Sequence, residues 1–260
     1  MRKQFAKFAL TSIMLFSLCG CAGNESQPLP ELVIGCDDYR PYCYIDEDGD
    51  FAGMNVEIAT EACKRMGYQP VFTQIEWDSR QVLLENGEID CLWSFSAADG
   101  QEERYTWIPY MTSRQVVAVL KDSPIHHLSE LEGKSVAVRV LTNAEQIFLN
   151  QSEEGVPAVE NLYCMTNMSD VVTALRNDYV DACAGYAAAV REQLENVGVD
   201  YRLLDEDLSR AKMGVAFSKD DDSEVPQELS AVLAEMRSDG TLREIACKYV
   251  DADKALGGVE

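Results

Sequence analysis

Apolar residues along this chain follow two alternating patterns. Short apolar runs predict buried strands at residues 33–35, 71–75, 89–95, 115–120, 135–140, 159–165, 180–184 and 213–217. Between them, apolar residues recur every three or four positions and predict helices at residues 58–66, 79–85, 128–132, 142–149, 169–176, 226–239 and 242–249. Strands that alternate with helices in this way are typical of an α/β fold.

The first strand runs into a loop that carries both aromatic rings and carboxylates. Asp37, Asp38, Tyr39, Tyr42 and Tyr44 follow residues 33–35, ahead of an acidic turn and the first helix. In open α/β sheets, ligands bind at the carboxyl ends of the strands. The loop is therefore a candidate ligand-binding segment, although an ordinary strand-to-helix unit with surface tyrosines would have the same pattern.

An internal repeat indicates two lobes. Residues 84–90 (LENGEID) and 175–181 (LRNDYVD) share the frame L-x-N-x-x-[IV]-D, each at a helix end that runs into a buried strand. We predict a first lobe at residues 31–119, a second lobe at residues 120–210, and a return to the first lobe with C-terminal helices at residues 211–260. The two connections between the lobes, near residue 120 and at residues 205–211, would form a hinge.

Length and charge narrow the classes of function. A chain of 260 residues is long enough for two lobes that each bury a core, and its apolar fraction of 47% is that of a soluble globular protein. The formal net charge of −23 argues against a nucleic-acid partner, because no basic stripe could outweigh that field near phosphate.

The N-terminus has the features of an export signal. Basic residues in the first seven positions precede an apolar stretch at residues 8–18, too short to span a bilayer comfortably. Residues 18–21 (LCGC) resemble a bacterial lipobox, which implies cleavage before Cys21 and lipid on its thiol. We therefore predict a signal peptide at residues 1–20 and a lipidated tether at residues 21–30, against the alternative of a plain signal peptide with a chance cysteine.

Two patterns in the sequence could be taken for metal sites. The seven cysteines from Cys36 onward include no CxxC pair and have no nearby histidines, so zinc is not expected; only Cys36 and Cys43 are close enough in sequence to suggest a local disulfide. Residues 46–57 place acids at EF-hand positions 1, 3, 5 and 12, but Phe51 stands where that loop needs glycine. We expect a solvated hairpin turn there, and no metal or cofactor.

Most of the mature chain resembles the family-3 bacterial extracellular solute-binding proteins, the periplasmic amino-acid-binding type of ABC importers. The matching segments, in the order expected for the family, are LVIGCDDYRPYCYIDEDGDFAGMNVEIA, WDSRQVLLENGEIDCLW, VAVLKDSPIHHLSELEGKSVAV, LRNDYVDACAG, KMGVAFSKDD and MRSDGTLREIACKYV. The resemblance implies a type II periplasmic-binding-protein-like fold, with two α/β lobes that are joined by a two-segment hinge and close on a small solute.

The resemblance also implies a set of ligand-binding residues. The family's aromatic platform falls near Tyr39 and Tyr42, and its second-lobe carboxylate site at a helix start matches Thr142 and Asn143, which also begin a capping box with Glu145. The full predicted set is Asp38, Tyr39, Tyr42, Ser94, Ser96, Arg104, Thr142, Asn143 and Tyr186.

The chain departs from the family pattern at two charged positions. The arginine that clamps a ligand carboxylate follows the strand at residues 92–94 in the family; here the candidates are Arg104 or, counting back from Trp107, Gln101. The acid that holds the ligand ammonium should lie just past Asp181, where this chain has Gly185 and Tyr186. A charge-assisted hydrogen bond contributes about 1.5–3 kcal/mol, so substitutes such as Asp37, Asp38 or Glu145 would be needed, or else the solute is not a standard α-amino acid.

The resemblance implies partners and leaves alternatives open. We expect a monomer that binds an amino acid or amino-acid-like solute, delivers it to an ABC permease and its ATPase, and is held at the membrane by lipid. A ligand-sensing lipoprotein without transport is one alternative. A cleft enzyme of the cyclohexadienyl dehydratase type is another, although we find no nucleophile elbow, phosphate loop or metal motif in the sequence.

Overall fold

The computed structural model describes residues 28–95 and 104–256. Within them, the strands are β1 (Glu31–Cys36), β2 (Tyr44–Ile45), β3 (Phe51–Ala52), β4 (Gln69–Gln74), β5 (Cys91–Phe95), β6 (Tyr105–Leu120), β7 (Ser135–Arg139), β8 (Asn161–Met165), β9 (Ala182–Tyr186), β10 (Tyr201–Leu203) and β11 (Ser209–Ser218). The α-helices are α1 (Met54–Met66), α2 (Arg80–Glu85), α3 (Asn143–Asn150), α4 (Met168–Arg176), α5 (Ala187–Asn196), α6 (Val225–Ser238), α7 (Thr241–Ala246) and α8 (Ala252–Leu256). Across these two ranges, none of the helices is long and apolar enough to cross a bilayer.

Each lobe has a parallel group of strands. In the first lobe β1 lies between β4 and β5 and is parallel to both, and in the second lobe β7 lies in the same way between β8 and β9. The carboxyl ends of β1 and β7 therefore open into strand-to-helix loops, at the position where open α/β sheets bind ligands. This is the mixed α/β, two-lobed architecture that the sequence predicts.

Two long antiparallel strands join the lobes. β11 pairs with β5 of the first lobe and with residues 105–115 of β6, while residues 115–118 of β6 pair with β9 of the second lobe. The described sheet accordingly runs β4-β1-β5-β11-β6-β9-β7-β8 without a break, and β10 pairs with the end of β6. Both connections between the lobes are thus built from extended chain.

The first helix illustrates how the sequence pattern builds the core. Ile58, Ala59, Ala62 and Cys63 recur on one face of α1 and are almost completely buried. The helix ends where Gly67 takes the left-handed conformation and its N–H bonds the carbonyl of Lys64. Burial of this face anchors the loop that precedes α1.

Several elements differ in extent from the sequence prediction. The strand expected at residues 115–120 begins at Tyr105, and Pro109 is tolerated inside it next to a register shift between β11 and β6. The prediction lacks α5 and β10 altogether. It also lacks α8, since the last predicted helix ends at residue 249.

The acidic segment at residues 46–50 is the hairpin turn that the sequence predicts. It connects β2 with β3, and one carboxylate oxygen of Asp46 accepts the backbone N–H groups of Asp48 and Asp50. Glu57, the twelfth residue of the alternative EF-hand reading, instead accepts hydrogen bonds from Lys248 Nζ and Tyr249 Oη, both at 2.5 Å. Among the described residues, no group of three or more candidate ligands could hold a metal ion.

All seven cysteines from Cys36 onward have free thiols. Cys36 and Cys43 are nevertheless neighbours that line the same small cavity. A hydrogen bond between the two thiols raises the pKa of Cys43 far above its usual value. The suggested local disulfide is therefore absent from this structure, while the proximity that motivated it is present.

Candidate functional site

The loop after β1, residues 37–43, is held in place by the start of α1; we call it the first-lobe loop. The backbone N–H of Met54 donates to the Pro41 carbonyl at 3.0 Å, and that of Asn55 donates to the Tyr42 carbonyl at 2.8 Å. Gly53 permits this approach, because its φ is +116° and a Cβ there would lie 2.6 Å from the Tyr42 oxygen. The loop is therefore fixed relative to the core of its lobe.

Three tyrosines from the two lobes form one aromatic cluster. Tyr39 and Tyr42 are stacked with ring centroids 5.8 Å apart, and Tyr186 meets both rings edge-on at 6.0 Å. Tyr42 Oη lies 3.2 Å from Ser113 Oγ. Burial raises the pKa of both Tyr39 and Tyr42 well above the usual value, so both are neutral phenols at any physiological pH.

Residues 139–143 run from the last residue of β7 to the first residue of α3; we call this segment the second-lobe loop. Thr142 is the N-cap of α3, and its hydroxyl donates to the Arg139 carbonyl at 2.7 Å and accepts from the Glu145 N–H at 3.4 Å. Glu145 accepts the Leu141 N–H at 2.7 Å. The Thr142 half of the predicted capping box is therefore present, whereas Glu145 accepts the N–H of Leu141 instead of that of Thr142.

An ion pair joins the two loops. Arg139 Nη1 lies 2.6 Å from Asp37 Oδ2, with side chains only 9% and 16% exposed, and the guanidinium carbon is 5.0 Å from the centre of the Tyr39 ring. Arg139 Nε also donates to the Thr166 carbonyl at 3.0 Å. Burial alone would lower the pKa of Arg139, but its hydrogen bond and charge interaction with Asp37 outweigh this and raise it.

Trp77 and Arg80 lie beside this ion pair. Trp77 Nε1 donates across the cleft to the Leu141 carbonyl at 3.3 Å, and Arg80 lies over the Trp77 ring at 4.6 Å. Arg80 also interacts electrostatically with Asp37 and Arg139, and burial lowers its pKa. Its Nε atom is buried without a hydrogen-bond partner in the part of the chain that the structure describes.

Gln115 is a buried amide in the same region. It is 0% exposed, and neither its Oε1 nor its Nε2 has a hydrogen-bond partner among residues 28–95 and 104–256. Gln115 pairs with Tyr186 across the sheet and shares a face of β6 with Ser113, the contact of Tyr42. A buried polar group without a partner costs about 1–3 kcal/mol, so this amide calls for a hydrogen-bonding ligand or water.

The structure brings together part of the predicted site. Tyr39, Tyr42 and Tyr186 meet directly, Asp38 is exposed beside Asp37, and Thr142 and Asn143 begin α3 in the second-lobe loop. Asn143 Nδ2 donates to Ser209 Oγ at 3.1 Å. Arg104 is exposed just before β6 and forms no ion pair with a described acid. Ser94 lies in β5, its side chain being outside the description, and Ser96, Gln101 and Cys21 lie outside the described residues.

Sequence reasoning missed Arg139, Arg80, Trp77 and Gln115 as site residues. Arg139 had one available signal, a charged residue that ends an otherwise apolar strand just before a capping box. In the sequence Gln115 is the first residue of a β-branched strand, and what distinguishes it is its burial without a partner among the described residues. The sequence places Asp37 in the candidate ligand-binding loop and offers it as a substitute for the family's missing charges, but it is not in the predicted set of ligand-binding residues.

A comparison with known protein families agrees with this architecture. The sequence profile described as bacterial extracellular solute-binding proteins, family 3, matches residues 32–252. Because this covers most of the chain, the match extends to both lobes and to the return segment.

Individual relatives agree with the family match. The L-cystine-binding protein of Bacillus subtilis is 26% identical over 95% of this chain and 97% of its own length. The histidine-binding periplasmic protein of Salmonella typhimurium is 27% identical, over 95% of this chain and 98% of its own.

Solved structures share the fold. A protein crystallised with L-arginine superposes with a TM-score of 0.78, at 25% identity, over 88% of this chain and 94% of that one. A substrate-binding protein of an ABC uptake transporter from Streptococcus pneumoniae, with bound histidine, has a TM-score of 0.76 over 86% of this chain and 94% of that one, at 24% identity.

Proposed function

This chain belongs to the bacterial extracellular solute-binding proteins of family 3, and from that membership we propose that it captures an amino-acid-like solute and delivers it to an ABC permease. Its relatives include binding proteins for cystine, arginine and histidine, so the class of solute is shared although the individual solutes differ. No bond is made or broken in this function.

The observation that carries the proposal is that both lobes contribute to one polar and aromatic site. The first lobe contributes Asp37, Tyr39 and Tyr42, and the second contributes Arg139 and Tyr186. A small solute held there would contact both lobes at once. Mostly apolar walls with a few well-placed polar groups are typical of small-molecule sites.

Closure of the lobes would report binding. A solute that touches both lobes is bound more tightly when they are closed, so it shifts the hinge equilibrium toward the closed form. The extended segments of β6 and β11 would act as the hinge, and the permease would recognise the closed form. In this proposal the lobe boundaries are those predicted from the sequence, residues 31–119, 120–210 and 211–260.

Lipid on Cys21 would keep the protein near its permease. The proposed tether, residues 21–30, separates the lipid from β1 and allows the lobes to open and close above the membrane. Substitution of Cys21 by Ala should move the protein from the membrane fraction to the soluble fraction of the producing cells.

A ligand screen tests the function directly. We expect that at least one compound in a panel of amino acids, amines, dicarboxylates and small peptides raises the melting temperature of the purified protein, because a ligand that binds only the folded state stabilises it. Isothermal titration calorimetry would then give the affinity, and product analysis after incubation should show that the compound is unchanged.

A matched pair of tyrosine variants serves as the control. Tyr186→Leu should weaken binding of the identified compound at least tenfold, whereas Tyr179→Leu should leave it unchanged because that side chain is 74% exposed on the surface. The proposal is wrong if no compound in the panel binds, or if the protein converts the compound that it binds.

A further inference from the structure

The Asp37–Arg139 ion pair has the two charges of an amino acid, one on each lobe. Asp37 belongs to the first-lobe loop and Arg139 to the second-lobe loop, and the pair is largely shielded from water. Whatever enters between the loops must separate these charges. Only a ligand that gives each of them a new partner avoids leaving a buried charge uncompensated.

Two further charged side chains lie beside the pair. Arg80 and Asp38 both interact electrostatically with members of the pair, so a second cation and a second acid lie near the point where the loops meet. A purely anionic or purely cationic ligand would leave one charge of the separated pair without a partner, whereas a zwitterion satisfies both.

We propose that a zwitterionic solute binds by separating the Asp37–Arg139 pair, with its ammonium group on Asp37 and its carboxylate on Arg139. This inference rests on the proposed solute-binding function and adds the residues that select the solute. The polarity is the reverse of the arrangement expected from the family resemblance, in which the first lobe supplies the arginine and the second supplies the acid. Tyr186 stands close to where that acid was expected.

Gln115 supplies a third point of contact in this arrangement. Its amide has a donor and an acceptor without partners among the described residues, and it lies beside the tyrosine cluster that packs against Arg139 through Tyr39. A solute that carries a further neutral group able to donate and accept, such as an amide or a hydroxyl, would satisfy it. The inferred class of solute is therefore a zwitterion with a polar, uncharged end.

Calorimetry with three related compounds tests the charge assignment. For an amino acid that binds the wild-type protein, the analogue without the amino group and the analogue without the carboxylate should each bind at least tenfold more weakly. Arg139→Gln should weaken binding of the amino acid at least tenfold and should abolish the preference for it over the amine, the analogue without the carboxylate. Asp37→Asn should instead abolish the preference for it over the amine-free acid.

Two further variants separate binding from folding. Asp37→Asn combined with Arg139→Gln removes both charges, so the double variant should melt close to the wild type yet still bind the amino acid at least tenfold more weakly. Arg65→Gln removes an ion pair with Asp239, whose side chains are 19% and 41% exposed and which lies away from the two loops, and it should leave the affinity unchanged. Gln115→Met should weaken the binding of solutes with a polar end and leave the binding of their apolar counterparts unchanged.

The possible failures can be told apart. Suppose that the wild-type protein binds an amino acid, and that the Asp37 and Arg139 variants bind it and its analogues with the same affinities. The proposal that the solute separates the Asp37–Arg139 pair is then overturned. It is also overturned if the double variant binds more tightly than the wild type, since the pair would then only oppose ligand entry. Failure of every compound to bind the wild type would instead refute the proposed function itself.

Discussion

The first-lobe loop and the second-lobe loop occupy equivalent positions, each between a central parallel strand and a helix. The first presents stacked rings and a carboxylate, and it is held by backbone hydrogen bonds from α1. The second presents a guanidinium and is held by the side chains of Thr142 and Glu145. The two lobes therefore provide similar scaffolds with complementary chemistry, which is what a ligand with two different ends requires.

The two loops also differ in how their shape is stabilised. The first-lobe loop depends on buried aromatic surface, whereas the second-lobe loop depends on a small number of hydrogen bonds around a left-handed residue, Leu141, with φ of +56°. Damage to the first loop should therefore affect the stability of the whole protein, and damage to the second should mainly affect ligand affinity.

The largest effect is expected in the first-lobe loop, whose shape depends on buried aromatic surface. Tyr42→Ala should lower the free energy of unfolding by about 3–5 kcal/mol, because it leaves a cavity at a side chain that is 1% exposed. Urea denaturation measures the change. Tyr42→Phe keeps the ring and loses only the hydroxyl contact with Ser113, so it should cost about 1 kcal/mol; equal losses in the two variants would contradict the role of the ring.

The next largest effect is expected from the Asp37–Arg139 ion pair, which joins the two loops. In a double-mutant cycle of Asp37→Asn and Arg139→Gln, followed by urea denaturation, we expect a favourable coupling free energy of about 1.5–3 kcal/mol, as for other close and shielded charge pairs. The same cycle on Arg243 and Asp253, which are 52% and 75% exposed, should give a much smaller coupling, because water screens exposed charges. A coupling near zero for the first pair would mean that the two loops are not joined electrostatically.

The hydrogen bonds of the second-lobe loop can be tested separately. Thr142→Ala should lower the free energy of unfolding by about 1 kcal/mol, the usual loss for a helix N-cap, and should also weaken ligand binding because the Thr142 hydroxyl holds the Arg139 carbonyl. Asn167→Ala removes the equivalent cap of α4, where the side chain accepts the Asp170 N–H at 2.8 Å. It should cost similar stability with no change in affinity, so equal affinities in the two variants would argue against a positioning role for Thr142.

The smallest effect should come from relief of backbone strain. Leu141→Gly should raise the free energy of unfolding by about 0.5–1 kcal/mol, since a left-handed conformation is unfavourable for leucine and the side chain is already 45% exposed. Gln151→Gly, at φ of +50° on the far end of α3, should gain a similar amount. Destabilisation by the Leu141 change alone would indicate that the leucine side chain supports the loop through packing.

Much of the architecture could be predicted because it depends on local patterns. Apolar periodicity located α1, α4 and α6, the Thr142–Glu145 spacing located the start of α3, and the acids at residues 46–50 located a hairpin turn. Each of these signals arises from residues within one or two turns of each other, where side-chain and backbone geometry are closely linked.

The candidate site could be predicted only in part. The tyrosines at positions 39, 42 and 186 were found through rings in loops at strand ends and through the family resemblance. The arginine was sought after β5, because the resemblance pointed there, whereas the structure places a shielded arginine at the end of β7. Nothing within the neighbourhood of either residue in the sequence indicates that Arg139 and Asp37 are partners.

By itself, the sequence determined that this chain forms two α/β lobes with polar and aromatic loops at the ends of their strands, because periodicity and capping act over short distances. Tertiary structure alone decided that an acid from one lobe meets an arginine from the other, and that the amide of Gln115 is buried with no partner in the part of the chain that the structure describes. Both outcomes follow from strand pairing, which sets which strand ends face each other and which side of β6 lies toward the site. Pairing joins residues that are far apart in the chain, so local sequence patterns do not indicate it.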